Sequence, residues 1–161
     1  MRLGIDADHA PLLELLHAGD EGLDESALRT EARDWGASRR TGELSRSYCF
    51  PYALVGWHSD RIGVDIERIV DCDEEFARSI CTPQEAERAA GRDDEEIVSL
   101  WCSKEALAKA LGDAVRYDPR RLQSPVAWHD GASGRWRARR LAAPDGYCAW
   151  VAWRSTFPFP S

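Results

Sequence analysis

Two short segments hold the residues whose types and spacing could do chemistry. Gly63-Val64-Asp65-Ile66-Glu67 reads as a buried strand with carboxylates at i and i+2. Side chains two apart on a strand share a face, so Asp65 and Glu67 point the same way. Trp101-Cys102-Ser103-Lys104-Glu105-Ala106-Leu107-Ala108-Lys109 reads as a helix, with Lys104, Glu105 and Lys109 within about one turn or so of one another. Three carboxylates and two ammonium groups at this density suit a magnesium ion shared with a phosphate ester. Mg²⁺ takes one or two carboxylates, phosphate oxygens and waters. Lysines act as point charges for the remaining phosphate oxygens.

The elements that must position these groups follow from pattern and punctuation. Leu12, Leu13, Leu15 and Leu16 have helical apolar spacing, which predicts a helix over Ala10–Ala18. Asp24 to Trp35 reads as a second helix, capped by Asp24 or Ser26, and 36–43 as loop. Tyr48–His58 is aromatic and β-branched and predicts one strand. A turn at Ser59-Asp60 would pair it with a strand at Ile62–Ile69, presenting Asp65 and Glu67 at the end of the pair. Glu74–Ile80 is predicted helical. Thr82-Pro83-Gln84-Glu85 opens another helix with Thr as N-cap, Pro at the first position and Glu at the third. Glu95–Leu111 predicts a long helix ended by Gly112. Val126–His129, Trp136–Leu141 and Tyr147–Trp153 predict three late strands, separated by Asp130-Gly131 and Pro144-Asp145-Gly146 turns. Arg2–Asp8 (RLGIDAD) and Arg61–Glu67 (RIGVDIE) share a pattern that suggests an internal repeat.

The chain of 161 residues is 43% hydrophobic, enough for one domain or two small packed halves. No apolar run approaches a membrane span. No basic stretch leads into an apolar one at the N-terminus, and five scattered cysteines form no CxxC pair. Both features favour reduced thiols and a cytoplasmic location. The four histidines lack zinc-ligand spacing. A net charge of −7 argues against a general nucleic-acid binder. Residues 71–96 carry ten acids and residues 116–140 seven arginines. Each stretch reads as solvated surface, or in the arginine-rich part as a dock for an anionic partner.

Gly63–Glu67, then residues 68–100, then Trp101–Lys109 resembles the two-part signature of the 4'-phosphopantetheinyl transferases. Those enzymes move phosphopantetheine from coenzyme A to a serine of an acyl or peptidyl carrier protein. The resemblance covers residues 44–153. It implies an α+β fold of antiparallel sheets packed with helices, with two halves about a pseudo-twofold axis and CoA in the cleft between them. Residues 1–161 would then be one domain, its reduced first half 1–58 and its second half 59–156. The resemblance also implies Mg²⁺ held by Asp65, Glu67 and Glu105, with Glu105 either a metal ligand or the base for the attacking serine. Lys104 and Lys109 would hold phosphates and neutralise the leaving 3',5'-ADP.

Leu44-Ser45-Arg46-Ser47 stands where larger members carry Ser-His-Ser near the CoA 3'-phosphate, and Arg46 replaces the histidine. Arginine forks onto phosphate oxygens and is always charged. Arg39 and Arg40 are further candidate phosphate contacts. Two features depart from the pattern: only 64 residues precede Asp65, and Gly112-Asp113-Ala114 replaces a Gly-x-Gly. The implied function is Mg²⁺-dependent transfer of phosphopantetheine to a carrier protein in fatty-acid, polyketide or nonribosomal peptide biosynthesis. The rival is an inactive or repurposed member that binds CoA or a carrier protein. A third reading, an acyl-CoA transferase using Cys102, lacks a clear His or Asp partner for the thiol. Monomer and homo-oligomer both remain open.

Overall fold

A computed structural model describes residues 10–39, 41–89 and 91–155. The first copy of the suggested repeat, Arg2–Asp8, lies outside them. The described chain is α+β, with two antiparallel sheets and helices on both outer faces. The first sheet has the order β1–β3–β2, from β1 (Leu12–His17), β2 (Glu43–Cys49) and β3 (Tyr52–His58). The second has the order β4–β7–β6–β5, from β4 (Ile62–Arg68), β5 (Ala132–Ser133), β6 (Trp136–Leu141) and β7 (Tyr147–Arg154). A short helix α1 (Ala18–Glu21) precedes α2 (Glu25–Ala37), and α3 (Glu74–Ile80) and α4 (Pro83–Ala89) lead to α5 (Asp94–Leu111).

Four layers result. Leu28 and Ala32 of α2 pack on Ala53 and Val55 of β3. The opposite face of the first sheet, with Leu13 and Leu54, meets Ile62, Val64 and Ile66 of β4 and Val151 of β7. The other face of the second sheet carries α5 through Val98, Cys102, Ala106 and Ala110 against Cys148, Trp150 and Ala152. Alternation along β4 therefore sends Ile62, Val64 and Ile66 between the sheets and Gly63, Asp65 and Glu67 toward α5.

The helix caps follow the expected chemistry. Asp24 caps α2, accepting from the Ala27 N–H at 2.8 Å. Thr82 and Glu85 form a reciprocal box at α4, at 3.2 and 2.9 Å. Asp93 and Glu96 do the same at α5, and Gly112 closes that helix in the left-handed conformation.

Four expectations are corrected. Residues 12–17 form β1 rather than a helix. Leu13, Leu15 and Leu16 also fit a strand, and the six-residue register with β3 decides between the two periods. The strand expected over Tyr48–His58 is a hairpin, β2 and β3, turning at Phe50-Pro51, and β2 starts inside the stretch read as loop. β3 does not pair with β4; it pairs with β1 and β2, while β4 pairs with β7 in the other sheet. Val126–His129 is not a strand but two tight 3-10 turns, because Pro125 cannot join a ladder and Ser124 caps the Val126 N–H at 3.1 Å.

Side chains join the two sheets. The Val64 N–H donates to Ser45 Oγ at 3.0 Å and the Ile66 N–H to Ser47 Oγ at 3.2 Å. The pairs 45–64 and 47–66 advance in the same sense, so β2 and β4 run parallel there. Serine hydroxyls satisfy amides that a strand backbone would otherwise take.

Gly63 fixes the depth of α5. A Cβ on it would lie 1.9 Å from the Ala106 carbonyl oxygen and 2.5 Å from the Ala110 nitrogen. Gly63→Ala is therefore expected to cost more than ~3 kcal/mol or to prevent folding, since helix backbone cannot yield as a side chain can. Urea unfolding checks this, and a midpoint equal to wild type would refute so close an approach.

Candidate active site

The long helix presents Trp101, Glu105 and Lys109, spaced i, i+4, i+8, to the Asp65–Glu67 face of β4. Asp65 is 3% exposed. Its Oδ1 accepts from Lys109 Nζ at 2.7 Å and from Ser47 Oγ at 2.9 Å. Lys109 also donates to the Val64 carbonyl at 3.0 Å. Among the described residues, Asp65 Oδ2 is buried without a hydrogen-bond partner. A buried, unpaired carboxylate oxygen is costly, so a cation or a donor would be favoured at this atom. Glu67 accepts from the Trp101 indole N–H at 3.3 Å, and Glu105 Oε1 accepts from the Tyr117 hydroxyl.

These carboxylates repel one another in a poorly solvated place. Burial, then the charge of Asp65, pushes Glu67 up to about 7, although Trp101 and Lys109 oppose the shift. Burial also raises Glu105, with Asp65 adding to it and the Tyr117 bond and Lys109 working against it. Among the described residues, no three His, Cys, Asp or Glu groups already form a cage for a metal.

A cleft of about 670 Å³ opens beside Lys109, between β2, the start of β4 and the loop after α5. Ser45, Arg46, Arg61, Lys109 and Arg116 line it, with Glu43 and Asp113. Four cations against two acids make it a place for a polyanion.

The structure thus brings Asp65, Glu67, Glu105 and Lys109 together, with Ser45 and Arg46 along the adjoining cleft. Ser45 uses its hydroxyl oxygen on β4 as well. It does not bring Arg39 there: that guanidinium bonds the Trp35 carbonyl and lies 3.7 Å over the Trp35 ring. Arg40 lies outside the described residues.

Lys104 also stands apart. One residue before Glu105, its side chain leaves α5 about 100° round the helix. Its fully buried ammonium gives its three hydrogens to Glu85 Oε2 at 2.5 Å, the Ile80 carbonyl at 2.6 Å and the Pro119 carbonyl at 2.8 Å. Glu85 in turn accepts from the N–H groups of Thr82 and Ser124. Burial would raise Glu85, but these bonds outweigh it and hold the carboxyl below its usual range.

Sequence reasoning missed Arg61 and Tyr117 as site residues. Ser47 lay in the segment matched to Ser-His-Ser, but its bond to Asp65 was not foreseen. Nothing local to Tyr117 or Arg61 signals what they face.

A shared-feature comparison with known families matches residues 61–156 to the 4'-phosphopantetheinyl transferase superfamily. The match spans more than half of the chain, and the protein belongs to that superfamily. No curated protein matches the chain. Among the described residues, no helix is long and apolar enough to cross a membrane.

Two predictions follow the electrostatics. Lys104→Met is expected to cost roughly 3–5 kcal/mol in urea unfolding, because Glu85 is left charged and buried. Adding Glu85→Gln should return part of that loss, and wild-type stability in the single variant would show that the pair anchors nothing. Glu67 binds its proton more tightly in the folded state than in the unfolded chain, whose carboxyl sits at the ordinary 4.5. Its contribution to stability is whole below that value and disappears as the pH climbs to about 7. In divalent-free buffer, stability should drop across that window, and Glu67→Gln should flatten the drop; an unchanged profile in the variant would mean that Glu67 titrates elsewhere.

Proposed function

We propose that the protein transfers 4'-phosphopantetheine from coenzyme A to a serine of an acyl or peptidyl carrier protein, in an Mg²⁺-dependent reaction. The observation that carries this reading is the pairing of an orphaned, buried Asp65 Oδ2 with two further acids, next to a cationic cleft. Membership of the superfamily supports the same reaction class. Its fold, with two halves of one domain about a pseudo-twofold, belongs to the same reading.

The donor set fits a hard divalent ion. Mg²⁺ needs only one or two protein carboxylates and completes its octahedron with water and phosphate oxygens, so no ready cage is required. Asp65, Glu67 and Glu105 would hold it, and it would supply positive charge to a pyrophosphate. Divalent charge would also relieve the mutual repulsion that raises Glu67 and Glu105.

The chain's own residues do the rest. Arg46, Arg61 and Arg116 receive phosphate oxygens along the cleft, and Lys109 neutralises charge where the cleft meets Asp65. The carrier-protein serine attacks the pantetheine-side phosphorus. A new O–P bond forms, the bond to the bridging oxygen breaks, and 3',5'-ADP leaves. Glu105 is first a ligand of the ion; in its alternative role it would take the serine proton, directly or through water, if it lies within hydrogen-bond reach of that hydroxyl. Positioning and charge stabilisation dominate such transfers. The arginine-rich stretch 116–140 is a surface for an acidic carrier protein.

The test is the intact mass of an apo carrier protein after incubation with this protein and CoA, with Mg²⁺ or with EDTA. Gain of one phosphopantetheine only with Mg²⁺ is expected, and Asp65→Ala and Glu105→Ala should each lower the rate at least ~100-fold. No gain across acyl and peptidyl carrier proteins would sink transfer and leave a CoA- or carrier-binding member. Full activity of either variant at saturating Mg²⁺ would overturn the site.

A further inference from the structure

The segment after Gly112 doubles back along α5 and is fastened to two consecutive residues of that helix. Tyr117 donates its phenol hydrogen to Glu105 Oε1. Two residues on, the Pro119 carbonyl accepts from the buried Lys104 ammonium at 2.8 Å. The segment is also closed on itself. The Asp113 carbonyl accepts from the N–H groups of Arg116 at 3.1 Å and Tyr117 at 3.0 Å. Asp118 caps the 3-10 turn Pro119–Arg121, accepting from the Arg120 N–H at 3.0 Å. Tyr117 thus hangs between a tight turn and a buried anchor, and its ring is half-buried.

A glutamate on a helix surface has several rotamers, and fixing one costs up to ~2 kcal/mol of side-chain entropy. Glu105 is half-buried, and its one hydrogen bond among the described residues is the one from Tyr117. A phenol is protonated at neutral pH, so Tyr117 is the donor to the carboxylate. The Lys104 anchor and the Tyr117 bond leave α5 from adjacent residues and meet the same short segment. The buried ion pair therefore fixes the height at which the phenol meets the carboxylate.

We propose that Tyr117 is a positioning residue for Glu105: its hydroxyl engages Oε1 and leaves Oε2 to a divalent cation shared with Asp65 and Glu67. This rests on the reading that these three acids hold such an ion. It assigns Tyr117 a role that neither half of the two-part motif contains. It also gives Lys104 a task inside the protein, as the anchor of the segment that delivers the phenol.

The experiment compares Mn²⁺ affinity of wild type and Tyr117→Phe by electron spin resonance of the free ion, together with the thermal midpoint of each. Tyr117→Phe keeps the ring and removes only the hydroxyl. Affinity is expected to fall about fivefold, the worth of one net hydrogen bond, with the midpoint nearly unchanged. Equal affinities would overturn the proposal, as would a wild type that binds no Mn²⁺. A fall in affinity that merely tracks a collapsed midpoint would also overturn it, because the hydroxyl would then be holding up the fold. A wild type whose Mn²⁺ affinity depends on the Tyr117 hydroxyl yet which modifies no carrier protein would keep this inference and sink the transfer reading.

Discussion

The closeness of α5 to β4 is the constraint on which the rest of the molecule depends. Only a residue without a Cβ lets the helix backbone settle on the strand, and Gly63 is that residue. At that depth Asp65, two residues on, lies beneath the helix and is almost closed to water. Lys109 is then near enough to hold one of its oxygens, while the other stays unsatisfied. A helix set farther out would solvate the carboxylates and return Glu67 toward an ordinary acid.

A second constraint keeps that arrangement from slipping. Among the described residues, β4 shares a backbone ladder with β7 alone. On its other edge two serines of β2 satisfy its amides, and one of them, Ser47, also holds Asp65. The first sheet therefore contributes to the site twice. It steadies the strand that bears the acids, and it supplies Arg46 to the cleft. On the far side of α5, the Lys104–Glu85 pair ties together the end of α3, the start of α4 and the segment past Tyr117. Buried pairs of this kind add little net stability over apolar packing, yet breaking one is severe, so they fix geometry more than they add energy.

Much of the helix punctuation was legible in the chain. The caps of α2 and α4 and the end of α5 are local hydrogen-bond chemistry, and Asp24, Thr82–Glu85 and Gly112 announce them, whereas the Asp93–Glu96 box was not read. β6 and β7 were legible because apolar and aromatic residues stand between turn-forming ones. β1 was misread because a short run with four leucines fits two periods. The partner of β4 was misjudged because sequence neighbours that could form a hairpin need not: β3 and β4 each found a better register elsewhere. The site divided along the same line. Asp65, Glu67, Glu105 and Lys109 could be singled out by type and spacing, since strand and helix periods place them on single faces. Arg61, Tyr117 and the bond from Ser47 to Asp65 could not, because each depends on long-range packing.

The sequence by itself determined the identity of the acids and lysines, the faces they occupy and the superfamily to which the protein belongs, because these depend on local periods and on a contiguous pattern. Tertiary structure alone decided what each charged group meets. It separated Lys104 from Lys109, although both belong to one short motif. Five residues apart on a helix they diverge by well over a right angle, so one ammonium closes an interior network and the other faces the acids. Which of those directions is interior is set by what packs there, and that is a property of the folded whole.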